Sequence, residues 1–132
     1  MKSIAVIIIF LLFFSNIIWS IFGVAIAFLH IPYLVSYNHE YSAVVIRVRD
    51  IWILDNIPGY EYWRWIALWN IVILNPREEK WDELHECIHV EQFMRYPGIF
   101  PILNIIQTYK NGYSSNPFEV EAYSRAGNIY YP

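Results

Sequence analysis

A His-Glu-x-x-His pattern runs from His85 to His89 and carries the residues best suited to chemistry. We predict that it lies in a helix from about Arg77 to Tyr96, because neither Pro nor Gly interrupts that range. Histidines four residues apart share one helix face and can direct both imidazoles to a single point. A catalytic zinc ion takes such nitrogens and keeps one position for water, from which Glu86 can accept a proton as general base. The alternative is a helix with two ordinary polar histidines.

A third metal ligand is predicted from a second helix near the C-terminus. Asn116-Pro117-Phe118-Glu119 has the residues of a helix start, and the helix should run to about Ala126. A carboxylate from this helix would complete a His-His-Glu set. Glu119 is the preferred ligand, and Glu121 is the alternative, although it points to a different side of the helix. Glu119 also has a simpler interpretation as an acid that caps its own helix.

The boundaries of the first helix are also predicted from local signals. Asn75-Pro76-Arg77-Glu78 has a capping Asn followed by Pro, and Tyr96-Pro97-Gly98 supplies the residues that end a helix. Its apolar contacts are expected from Trp81, Leu84, Ile88, Phe93 and Met94. The apolar stretch from Ile99 to Tyr109 either packs under the site or lies on a membrane surface, and the sequence leaves both open.

These motifs resemble a known family over roughly Trp63 to Ala126. The run from His85 to Gln92, the Pro-Gly turn, the apolar segment and the run from Asn116 to Tyr123 are similar to small bacterial predicted metallopeptidases of the gluzincin type. The resemblance implies a zincin-like fold and a zinc hydrolase that acts on peptide bonds. In the prenyl-protein endoprotease and heat-shock membrane protease group, the ligand glutamate begins a Glu-x-x-Ala-Asp run. This chain has Tyr123 at the Asp position, so support for a histidine ligand either comes from another residue or is missing.

Composition places the chain at a membrane. Its 132 residues suffice for one domain, and a net charge of -3 argues against nucleic acid as a partner. Hydrophobic residues make up 57% and aromatic residues 19%, which is high for a soluble domain. The single Cys87 excludes an internal disulfide and is expected to be a packed thiol.

The N-terminal stretch from Ile4 to Leu29 has no formal charge and is long enough to cross a bilayer. We predict a membrane anchor over residues 1–30 that contacts lipid through residues 4–29, followed by a zincin-like metallopeptidase domain over residues 31–132. The alternative is a signal peptide cleaved after Ala27, although its apolar core would be unusually long. Lys2 places the N-terminus in the cytoplasm, which makes the protein single-pass with an extracytoplasmic domain.

The region between the anchor and the motif is expected to form strands. Tyr41 to Arg49 alternates like a half-buried strand, with Arg47 and Arg49 on its solvated face. Residues 55–59 form a turn cluster, and Trp63 to Leu74 is interpreted as one buried strand rather than a second membrane helix. The predicted fold class is therefore α+β, with a transmembrane helix, a short antiparallel sheet and a helical half that carries the metal site.

The expected function is a membrane-anchored zinc-dependent peptidase with a peptide or protein substrate. Zn²⁺ would be held by His85, His89 and Glu119, with Glu86 as the catalytic base. An oxyanion donor is required, and the candidates are an imidazole or one of three tyrosines, Tyr109, Tyr113 and Tyr123. Two other functions stay open: a membrane-anchored zinc-binding protein without activity, and a small membrane interaction protein whose motif is accidental.

Overall fold

The computed structural model has an α+β fold and describes residues 2–49, 65–76 and 78–127. Within these residues, four α-helices surround a four-stranded sheet. The elements are α1 (Lys2–Leu29), β1 (Pro32–Asn38), β2 (Ala43–Val48), β3 (Trp65–Leu68), β4 (Ile71–Leu74), α2 (Asp82–Arg95), α3 (Phe100–Asn111) and α4 (Pro117–Ala126). A short 3₁₀ turn, Tyr113–Ser115, precedes α4. The turn cluster predicted at residues 55–59 lies outside the described residues.

The sheet is mixed, so the prediction of an antiparallel sheet is wrong for one pair of strands. The strand order is β1-β2-β4-β3, with β2 and β4 parallel and the other two pairs antiparallel. The predicted single strand up to Leu74 is also wrong, because its described part forms the β3–β4 hairpin. The chain reverses at Trp69, which has a positive φ of 52°. This turn contains neither Gly nor Pro, so the sequence did not reveal it.

Strand β2 is buried on both faces rather than half-buried. Ile46 and Val48 pack on the side of α1, together with Ala27. Ala43 and Val45 pack on the side of α2. The face predicted to be solvated, which carries Val45, is covered by α2, and α1 covers the opposite face.

Arg47 of β2 is not simply solvated, since it fastens the strand to the start of α2. Its Nε lies 2.8 Å from Oε1 of Glu78, and its Nη2 lies 2.8 Å from Oε2 of Glu83. These two ion pairs hold the sheet against the first turn of the helix that carries the histidines.

Helix α2 begins at Asp82, later than the predicted start near Arg77. The backbone N–H of Glu78 donates to the carbonyl of Asn75 at 3.0 Å, which closes a turn before the helix. The carboxylate of Asp82 accepts the N–H of Glu79 at 2.6 Å and orders the next residues. The Asn-Pro signal therefore starts a turn here, while the predicted end of the helix at Tyr96 is confirmed.

Helix α1 packs along the sheet through one stripe of residues. Asn16 accepts a hydrogen bond from the N–H of Gly98 at 2.8 Å, and Ser20 donates to Asn70 at 2.6 Å. A Cβ on Gly23 would lie 2.9 Å from that of Ile71, so the helix and β4 are in close contact. The remaining surface of α1 is apolar and exposed, and the helix is long and apolar enough to cross a membrane.

Candidate metal centre

Helices α2 and α4 bring together the three side chains predicted as metal ligands. His85 and His89 lie one turn apart on α2, and Glu119 lies in the first turn of α4. The Nε2 atoms of the two histidines are 3.1 Å apart. Oε2 of Glu119 lies 3.3 Å from Nε2 of His85 and 3.4 Å from Nε2 of His89. The three donor atoms therefore form a nearly equilateral triangle.

The size of this triangle fits a small metal ion. Ligand atoms at 2.0–2.1 Å from a tetrahedral zinc ion are about 3.3 Å from one another. The observed distances of 3.1, 3.3 and 3.4 Å are close to that value. Two imidazole nitrogens and one carboxylate oxygen also form a donor set that zinc accepts. The buried group of His85, His89 and Glu119 could therefore hold a metal ion.

Burial and the mutual contacts of the three residues shift their pKa values. Burial would lower the pKa of His89, but the carboxylates of Glu119 and Glu86 and the Gln92 hydrogen bond raise it to about 9. Burial dominates at His85 and lowers the pKa of that imidazole. Burial would raise the pKa of Glu119, yet the two imidazoles lower it overall. The centre thus contains an ionised carboxylate ready to face a cation.

Glu86 is buried beside this triangle without belonging to it. Its Oε1 lies 3.9 Å from Nε2 of His85, and only 2% of the residue is exposed. The carboxylate is therefore near the metal position while staying at a greater distance than the ligand atoms. This is the arrangement that a proton acceptor for a metal-bound water needs.

Gln92 supports His89 from behind, a role that the sequence analysis did not assign. Nδ1 of His89 lies 2.7 Å from Oε1 of Gln92, which fixes the proton on Nδ1 and leaves Nε2 for a metal. The amide of Gln92 donates to the carbonyl of Phe118 and to Oε2 of Glu121, each at 3.0 Å. Gln92 thus fixes the orientation of the His89 ring through a hydrogen bond. Its i+3 spacing from His89 was the available signal.

Glu121 takes part in surface ion pairs and does not approach the histidines. Its Oε1 contacts the guanidinium groups of Arg95 and Arg125, and Arg125 also binds Glu91 at 2.8 Å. We call these four residues the charged ladder. The ladder joins α2 to α4 and holds Gln92 in place through Glu121, so the structure favours Glu119 over Glu121 as the ligand.

The start of α4 is confirmed and explains why Glu119 is free to face the histidines. Oδ1 of Asn116 caps the helix by accepting the N–H of Phe118 at 3.0 Å, and Pro117 follows in the first turn. The N–H of Asn116 donates to the carbonyl of Tyr113 at 3.2 Å, so Glu119 does not close a capping box. Gly127 ends the helix with a left-handed φ of 77°.

Of the three candidate tyrosines, two lie at the site and one lies far from it. The ring of Tyr123 is centred 4.3 Å from the ring of His85, and its hydroxyl lies 3.3 Å from that of Tyr113. Burial, together with the charges of Glu119 and Glu86 and the contact with Tyr123, raises the pKa of Tyr113, so its hydroxyl keeps its proton. Tyr109 is 92% exposed on α3 and cannot serve.

The predicted packed thiol is confirmed. Cys87 is fully buried between α2 and the sheet, and burial raises its pKa to about 12. Among the expected apolar contacts of α2, Ile88 and Phe93 are buried, whereas Trp81 and Met94 are largely exposed.

Comparisons of the chain with protein-family models, with curated proteins and with solved structures found no match. The resemblance to gluzincin-type metallopeptidases therefore stays a prediction from the motifs.

Proposed function

We propose that this chain is a membrane-anchored zinc-dependent hydrolase that cleaves peptide bonds, of the gluzincin type that its motifs resemble. The observation that carries the proposal is the buried triangle of His85, His89 and Glu119, with the carboxylate of Glu86 at 3.9 Å from Nε2 of His85. A site that only holds a structural metal has no use for a buried base. Zinc sites of that kind are usually closed by a fourth protein ligand.

The proposed roles follow from the positions of the side chains. A zinc ion held by the three ligands would polarise a carbonyl group and lower the pKa of the water that it binds. Glu86 accepts the proton of the attacking water and then passes it to the leaving amine. Tyr113 is the preferred donor to the developing oxyanion, because its protonated hydroxyl lies 3.3 Å from that of Tyr123, whose ring packs against His85. Gln92 keeps His89 in the orientation that the site needs.

The membrane part of the proposal rests on α1. This helix has the length and composition to cross a bilayer. Ala27, after which a signal peptidase would cut, is fully buried against the sheet. Cleavage there would remove one layer of the fold, which supports an uncleaved anchor. With Lys2 in the cytoplasm, the metal centre would face the extracytoplasmic side, where a peptide or protein substrate would reach it.

The decisive variant is Glu86→Gln, because the amide keeps the volume of the side chain but cannot accept a proton. The purified variant should retain zinc and lose hydrolysis of an unfolded protein substrate by about 10²–10⁴-fold. Glu91→Gln is the matched control on the same helix, since Glu91 belongs to the charged ladder, and it should retain activity. Full activity in Glu86→Gln would refute the hydrolase proposal, and a metal-bound wild type without activity would favour a non-catalytic zinc protein.

A further inference from the structure

Helix α3 has its polar and apolar faces reversed relative to a helix of a soluble domain. Beyond the buried Phe100, one face of the helix points apolar side chains outward, with Ile102 57% exposed, Ile105 69% and Tyr109 92%. Its polar residues Asn104 and Thr108 point inward instead. A soluble helix of this composition would bury the first set and expose the second.

Hydrogen bonds hold the inward face in place. The Asn116 amide donates to the side chains of Asn104 and Thr108, the latter at 2.8 Å. Asn116 is also the cap of α4, so the orientation of α3 is tied to the helix that carries Glu119. Rotating α3 to bury its isoleucines would break these bonds, and the apolar face is therefore a fixed part of the surface.

The apolar face begins where the chain contacts the middle of α1. Gly98, two residues before α3, donates to Asn16 of α1 at 2.8 Å. A Cβ on Gly98 would clash with the Ser15 hydroxyl, and the positive φ of 77° favours Gly, so this approach is close. The start of α3 is thus held beside the middle of α1.

The exposed N-terminal part of α1 is too short to cross a bilayer by itself. Residues 3–11 are all exposed, and Leu12 is the first partly buried residue. Nine residues span about 13 Å, which is less than half of the hydrocarbon core of about 30 Å. If α1 crosses the membrane, the bilayer must therefore extend past Leu12 to the level of Gly98, where α3 begins.

We propose that the outer face of α3 is a second membrane-contacting surface of this protein, seated in the lipid beside α1. The inference rests on the crossing of the bilayer by α1 in the proposed function. Tyr109 and Lys110, exposed in the last turn of the helix, are of the types that lie at the lipid headgroups. The ion-paired residues of the charged ladder lie on α2 and α4 rather than on α3.

The metal centre then lies close to the membrane surface. Helix α2 starts near the end of α1, where the N–H of Arg49 donates to the carbonyl of His30 and the adjacent Arg47 binds Glu83. It ends near the middle of α1, at the contact between Gly98 and Asn16. Because the histidines lie between these two ends, the class of substrate that fits is a peptide segment close to the bilayer.

The test measures the lipid contact directly in the full chain. Three variants, Phe14→Cys, Ile105→Cys and Lys80→Cys, each add one exposed cysteine, which is labelled with an environment-sensitive fluorophore. Each labelled protein is reconstituted into vesicles with brominated acyl chains. The unsubstituted protein is the labelling blank, because Cys87 is buried. Phe14 reports on α1, and the exposed Lys80 reports on the water-facing start of α2.

We expect the Ile105 label to lose emission to the brominated chains about as strongly as the Phe14 label, while the Lys80 label is unaffected. Loss at Phe14 without loss at Ile105 would overturn the inference and leave the α1 anchor intact. Loss at neither position would overturn the membrane crossing itself. An Ile105 label shielded from water but insensitive to brominated lipid would show that protein, such as a second copy of the chain, covers the face, which also overturns the inference.

Discussion

Helices α2 and α3 are consecutive in the chain, yet they bury opposite kinds of side chain. Helix α2 encloses His85, Glu86 and His89, whereas α3 leaves Ile102 and Ile105 exposed. Both depart from the usual pattern of soluble proteins, in which ionisable groups are seldom fully buried and large apolar patches are seldom exposed. On our proposals, a metal ion offsets the cost of the first arrangement and a bilayer offsets the cost of the second.

The buried polar residues of α2 and the exposed apolar residues of α3 are both held in place by hydrogen bonds to neighbouring residues. Gln92 fixes the imidazole of His89 on α2, and Asn116 fixes the inward polar face of α3. Both fixing residues are tied to α4, because Gln92 bonds to Phe118 and Asn116 caps the helix. Helix α4 thus orients the metal site and the apolar face together.

The largest contrast is expected between a tyrosine at the site and one on the outer face of α3. Tyr113→Phe removes the proposed oxyanion donor and should lower kcat by about 10²–10³-fold while zinc content stays unchanged. Tyr109→Phe makes the same change at a residue that is 92% exposed and should leave kcat unchanged. The measurement is steady-state cleavage with zinc analysis of each variant. Equal activity in the two variants would remove Tyr113 from the mechanism.

A smaller difference, in zinc affinity, is expected between substitutions of Gln92 at the site and Gln107 on α3. Gln92→Met keeps the approximate volume but removes the hydrogen bond to His89, so zinc affinity should fall roughly 10–100-fold. Gln107→Met makes the same change on α3, where the Gln107 side chain accepts a hydrogen bond from Asn111 at 2.8 Å. Competition with a fluorescent chelator measures both affinities. If Gln107→Met weakened zinc as much as Gln92→Met, the effect would be one of folding rather than of ligand support.

The smallest expected effect is the release of a proton from His89 when zinc binds. In the metal-free protein the pKa of His89 is raised to about 9, so the imidazole is protonated at neutral pH. Zinc must displace the proton from Nε2, and binding near pH 7.5 should release about one proton per ion. Because the raised pKa places the loss of that proton near pH 9, the release should diminish as the pH rises through that value. Calorimetry in buffers of different ionisation enthalpy measures it, and a pH-independent release near zero would contradict the assignment.

The sequence was sufficient where local chemistry decides the structure. The spacing of His85 and His89 placed both imidazoles on one face, and Asn116-Pro117 correctly marked the start of α4. Helix geometry showed that Glu119 and Glu121 point to different sides of α4 and Glu121 stayed an alternative, whereas the structure places Glu119 beside the histidines.

The sequence was insufficient where tertiary contacts decide. The reversal at Trp69 has no Gly or Pro, so β3 and β4 appeared as one strand. The spacing of Gln92 from His89 puts both on one face of α2, but the bonds of Gln92 to Phe118 and Glu121 depend on how α4 packs against α2. The direction in which α3 faces depends on the amide of Asn116, a residue that local reasoning recognised only as a cap.

The central claim is that two helices supply three ligands to one zinc ion, and zinc content per chain tests it most directly. The wild-type protein should bind about one zinc, and a His85→Ala, His89→Ala double variant should bind almost none. Glu119→Gln should lower the zinc content because a neutral oxygen attracts the cation less, whereas Glu121→Gln, in the charged ladder, should keep it. Equal zinc in the wild type and the double histidine variant would contradict the account.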